Sequence, residues 1–115
     1  MIQERQVVLF RFPQTNGTAG KLRPAVVVRK VPGPHDDWLI CMISSQVSQE
    51  VPDFDEIVSK TDDDFILSGL KQPSLIRIAR LAVVEADILF GAIGEIGTAR
   101  LARIKSRLSE WLLGR

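Results

Sequence analysis

The stretch that decides the fold is Arg23-Pro24-Ala25-Val26-Val27-Val28-Arg29-Lys30-Val31, then Pro32-Gly33-Pro34-His35-Asp36-Asp37, then Trp38-Leu39-Ile40-Cys41-Met42-Ile43-Ser44. Two apolar, β-branched runs flank a cluster of turn formers, which is the signature of two strands joined as a hairpin. Pro24 has no N–H to give a ladder, so it belongs near the start of its strand. The second run is apolar almost throughout and is expected to be central, covered on both faces.

Working outward, Gln6 to Phe12 reads as a preceding strand that Pro13 ends, and Gln14 to Gly20 as a loop. Ser45 to Gly69 is irregular and is expected to be loop with a short helical turn or strand. Ser74 to Arg80 alternates as a strand, continued over Leu81 to Val84 after a bend. Ile88 to Ile93 reads as a further strand broken by Gly91. The end changes period. Leu101, Ile104, Leu108, Trp111 and Leu112 recur at helical spacing, with Gly97 or Thr98 to cap the start and Gly114 the stop. That apolar stripe is expected to dock on the sheet. The expected architecture is β-rich α+β: a small, strongly curved β-barrel closed by a C-terminal helix.

Composition bounds the rest. The chain has 115 residues, 45% hydrophobic and 25% charged, as expected of one ordinary globular domain spanning the whole length. No apolar segment approaches the roughly 20 residues of a membrane span, and the N-terminus lacks a signal peptide's layout, so a cytoplasmic location is expected. The net charge of +1 announces no general basic field, so any nucleic-acid site must be a local patch. The charges are clustered. Glu50, Asp53, Asp55, Glu56 and Asp62 to Asp64 lie mid-chain, while Arg100, Arg103, Lys105, Arg107 and Arg115 lie near the end. The plain reading of these is a solvated loop and a solvated helix face.

Most catalytic chemistries find no footing. Cys41, the single cysteine, sits in an apolar run and reads as a buried structural thiol. With one Cys and one His there is no zinc spacing, and His35 falls in the turn, exposed. Consecutive loop aspartates cannot all face one ion, so no metal or other cofactor is expected. What remains is a pair. If the two runs of the hairpin are antiparallel neighbours, Arg23 and Ser44 meet near one end. A guanidinium and a hydroxyl flanking one spot make a phosphate cradle. The alternative is a surface ion-pair partner and a strand-end capping residue. Both side chains are expected near the surface.

Several blocks in order resemble the MazF/PemK toxin family. They are Gln6-Val7-Val8-Leu9-Phe10-Arg11-Phe12-Pro13, Gly20-Lys21-Leu22-Arg23-Pro24-Ala25-Val26-Val27-Val28 and Ile43-Ser44-Ser45-Gln46. Further along come a block from Ser68-Gly69-Leu70 through Ser74-Leu75-Ile76-Arg77, and Ile93-Gly94-Glu95-Ile96 with the closing helix. The resemblance implies an SH3-like barrel of the CcdB/MazF kind, a homodimer, a cognate antitoxin and metal-independent cleavage of single-stranded RNA by its own 2′-OH. It assigns Arg23 and Ser44 to catalysis, and Ser45, Gln46, Arg77 and Lys21 to RNA binding. Two positions depart from the pattern. Ala79 stands where some members carry an Asp, a candidate base, and Arg5-Gln6 stands where many carry Gly-Asp. The rival readings are a CcdB-like toxin that binds DNA gyrase without catalysis, and an SH3-like interaction module. A module would want exposed aromatics, and this chain has no Tyr.

Overall fold

A computed structural model describes residues 1–11 and 20–115. The end of the first predicted strand at Phe12-Pro13 and most of the Gln14–Gly20 loop lie outside the described residues. The strands are β1 (Gln6–Arg11), β2 (Leu22–Lys30), β3 (Asp37–Ser44), β4 (Glu56–Val58), β5 (Ser74–Glu85) and β6 (Ala92–Glu95); the helices are α1 (Phe65–Ser68) and α2 (Thr98–Leu112). They form a six-stranded antiparallel sheet in the order β4-β5-β3-β2-β1-β6, curled into a half-barrel with α2 closing it.

The deciding hairpin forms as read, with Ala25 opposite Met42 and Val26 opposite Cys41. Because β3 lies in the middle of the sheet, its alternate residues enter two cores. Cys41 and Ile43 join Val7, Val26, Ile76 and Ile78 beneath α2, while Trp38 and Ile40 join Val8, Phe10, Val27 and Val84 on the other face. The predicted bend in β5 is a register shift: Cys41 pairs with Leu81, but Met42 pairs with Arg77. Buried Asp55 serves that region, its Oδ1 accepting the Ile78 N–H at 3.1 Å and its Oδ2 the Val51 N–H at 3.0 Å.

Three expectations are corrected. The last strand lies at Ala92–Glu95 and Ala86–Ile88 forms a 3₁₀ turn, so the strand expected over Ile88 to Ile93 begins later, at Ala92. Leu101, Ile104 and Leu108 dock as predicted, but Trp111 and Leu112 at the end of the stripe stay exposed, Trp111 edge-on to Phe54. The two charge clusters are not separately solvated, because they meet. Arg100 is only 6% exposed. Its Nε and Nη2 grip Asp64 at 2.7 and 2.9 Å, Nη2 reaches Asp62 at 3.0 Å, and Nη1 reaches Glu56 and the Ile57 carbonyl, both at 2.9 Å. All five guanidinium N–H donors are thereby used. Arg103 shares Glu56 Oε1 with Arg100 at 2.9 Å, and Arg107 takes Oε2 at 2.7 Å.

Arg5, where the resembled family often has glycine, adopts φ +79°, a conformation that favours glycine. Its guanidinium binds the Ile96 carbonyl at 3.1 Å and Glu95 at 3.3 Å, tying the end of β6 to β1.

Candidate active site

The hairpin brings the start of β2 beside the end of β3. Carried two residues past the Ala25–Met42 pair, the register sets Arg23 across from Ser44. Opposed residues leave a sheet on the same face, so both belong to the face of Phe10, which pairs with Arg23. Arg77 is on that face too, opposite Met42.

A cleft of about 640 Å³ opens at this end of the sheet, bordered by Arg23, Ser45, Lys71, Gln72 and Ser74 and floored by Leu9, Pro24, Ile43 and Ile93. Arg23, half-buried, and Ser45, exposed, both border this cleft; the pair expected to flank one spot was Arg23 and Ser44. Ser44 does not border that cleft. It is 5% exposed, which corrects the expectation of a surface residue. Its Oγ accepts the Gln46 N–H at 3.0 Å, a local turn that closes the strand. Of the two readings left open for Ser44, strand-end capping is thus present. It does not exclude the other, since a hydroxyl that accepts one hydrogen bond still has its own proton to donate.

The remaining predicted residues are more dispersed. Gln46 is exposed just beyond the turn, Lys21 is exposed before β2, and Arg77 is half-buried with its Nη1 donating to Gln49 Oε1 at 3.2 Å. None of these three borders the cleft. Sequence reasoning missed Lys71 and Gln72. Both fall inside the block from Ser68 to Arg77 that carries the family resemblance, but in a region too irregular to place.

Other candidates behave as their surroundings dictate. Burial pushes the Cys41 thiol up to about 12, so it is no nucleophile at neutral pH. Hydrogen bonding from Arg100 outweighs burial at Asp64, holding its carboxyl below the usual range, with the Gly97 N–H assisting. His35 lies exposed in the β2–β3 turn, as read. Among the described residues no helix is long and apolar enough to cross a membrane.

Residues 3–112 match the sequence model of a family described as the PemK-like, MazF-like toxin of type II toxin–antitoxin systems. No curated protein matches the chain.

Proposed function

Given that this chain belongs to the PemK-like, MazF-like family of type II toxins, we propose that it is a metal-independent endoribonuclease that cuts single-stranded RNA. The family accounts for the curled sheet with its C-terminal helix, and it makes an antitoxin the partner. The observation that carries the nuclease reading is the placement of Arg23 and Ser44 at one end of the β2–β3 hairpin, where Arg23 and Ser45, though not Ser44, border a cleft.

The reaction needs little from the protein because the substrate supplies the nucleophile. The 2′-oxygen loses its proton and bonds to the adjacent phosphorus. The bond from phosphorus to the 5′-oxygen breaks, and that oxygen takes a proton. The products are a cyclic 2′,3′-phosphate and a 5′-hydroxyl. Negative charge grows on the phosphoryl oxygens, and a preorganised guanidinium stabilises it. Arg23 fills that role. It is a poor base at neutral pH, since arginine's pKa lies above about 12. Ser44, its oxygen already held by the Gln46 N–H, donates a hydrogen bond to the phosphate and keeps its proton. Ser45 lines the approach, with Gln46, Arg77 and Lys21 as outlying RNA contacts. Residues 1–115 act as one toxin domain, working in the cytoplasm as a homodimer.

The exposed Ala79 keeps a second reading in view, since it removes the carboxylate that some relatives place there. On that reading the chain binds its target, as CcdB-like toxins bind gyrase, without cutting RNA. One experiment separates the two. Purified protein is incubated with a long unstructured RNA in excess EDTA, and the new ends are mapped. Discrete cuts with cyclic-phosphate termini, lost in a folded Arg23→Ala variant, are expected. Cutting that requires Mg²⁺, or that survives the substitution, overturns the assignment.

A further inference from the structure

One wall of the cleft is the segment Gly69–Gln72, and its position is set by two close backbone approaches. Gly69 has φ +74°, and a Cβ there would lie 2.1 Å from the Ile93 carbonyl oxygen. A Cβ on Gly94 would lie 2.2 Å from the Leu67 carbonyl oxygen. The turn after α1 therefore rides directly on β6, with no side chain between them. Buried serines pin the wall at both ends. The Leu70 N–H donates to Ser68 Oγ at 3.2 Å, and Ser74 Oγ donates to the Gln72 carbonyl at 2.8 Å. Arg23 and Ser45 line the same cleft.

The lining has a definite chemistry. It combines the apolar Leu9, Pro24, Ile43, Leu70 and Ile93 with the polar Arg23, Ser45, Lys71, Gln72 and Ser74. A phosphate alone would leave the apolar part unused. A flat ligand with apolar faces and a hydrogen-bonding edge would fill it, and the volume is within the roughly 300–1,000 Å³ of small-ligand clefts. Single-stranded RNA offers such a group once a base is unstacked.

We infer that Leu70, Lys71 and Gln72 form a base-reading wall, which holds the base of a nucleotide adjoining the phosphate at Arg23 and so selects where the RNA is cut. This rests on the ribonuclease reading. Leu70 packs against the face of the base. The amide of Gln72 carries a donor and an acceptor at one tip, which suits an edge offering the complementary pair. Lys71 adds donors only and favours an edge rich in acceptors.

The test has two arms, run on wild type, Gln72→Ala, Gln72→Glu and Leu70→Ala, each checked for native circular dichroism. In the first, a random-sequence RNA pool is cut and the cleavage sites are sequenced. In the second, a random pool of 2′-deoxy oligonucleotides, which lack the attacking hydroxyl, is selected for binding and sequenced. Gln72→Glu replaces a donor with an acceptor. It is expected to shift the base preference at one position next to the cut by about tenfold, in both pools. Gln72→Ala should relax the same position, and Leu70→Ala should weaken binding there. Base preferences unchanged in every folded variant overturn the inference while leaving the nuclease reading intact. A wild type that cuts no RNA, but whose binding preference still shifts with Gln72, overturns the nuclease reading and sustains the wall. No base preference in either pool overturns the inference.

Discussion

Replacing Arg100 with methionine should cost this protein a large part of its stability at neutral pH and much less in acid. The side chain is buried and all five donors are used, on Asp64, Asp62, Glu56 and the Ile57 carbonyl. Methionine fills similar space but leaves carboxylates behind. Glu56 keeps Arg103 and Arg107. Asp64, itself buried, keeps the Gly97 N–H at 2.9 Å but no cation. Breaking a buried pair by removing one partner costs about 3–5 kcal/mol, against a total of about 5–15 kcal/mol for a typical domain. The sign with pH follows from Asp64. Its folded pKa is held low, chiefly by the Arg100 hydrogen bond against the opposing effect of burial. Its contribution is therefore complete above the ordinary carboxylate value of about 4, and is lost as pH falls through the folded value. In the variant the stranded carboxyl prefers its proton, so acid relieves it. Urea unfolding of both proteins at neutral pH and near pH 4 measures the gap. It should be several kcal/mol at neutral pH and should narrow in acid. Restoring part of the loss with Asp64→Asn in the Arg100→Met background would confirm where the cost lies. A gap below about 1 kcal/mol at neutral pH, or one that does not change with pH, refutes this account of the cluster.

Other consequences are simpler to test. Gly69→Ala puts a methyl against the Ile93 carbonyl at a left-handed backbone position, so the midpoint of thermal unfolding should fall by several degrees. Ser44→Ala removes the acceptor for the Gln46 N–H and should cost about 0.5–1.5 kcal/mol in urea unfolding as well as RNA cleavage. Ser44→Thr, which keeps the hydroxyl, should preserve most of both. Cys41 should resist alkylation in the native protein at neutral pH and react only as the chain unfolds, so its labelling rate should rise with urea along the global transition. Rapid labelling without denaturant would contradict its burial.

Local chemistry was enough for part of this molecule. The β-branched runs on either side of Pro32–Asp37 announce a hairpin because side-chain shape and turn residues act over a few positions. The same locality revealed the amphipathic helix and the bend in β5. It also placed Arg23 and Ser44 at one end of the hairpin, since the turn and the antiparallel register settle that alone. The resemblance to a toxin family, carried by blocks of residues in order, held over residues 3–112.

What tertiary structure decided involves partners far apart in the chain. The strand read at Ile88 to Ile93 moved to Ala92–Glu95, because an apolar run cannot say which of its residues will find β1's free edge. The pairing skips Ile93, with Val7 opposite Gly94 and Val8 opposite Ala92. Ser44 turned inward to cap its own strand end, an outcome that depends on what covers it. Arg100 looked like one more cation on a basic helix. Its burial follows from the docking of α2 on the sheet, which sets it among acids 36 to 44 residues away. The cleft itself was invisible, because its wall depends on two glycines allowing one backbone to rest on another. Sequence pattern governs what each segment can form, but only packing determines which distant groups share a space and so what chemistry that space can do.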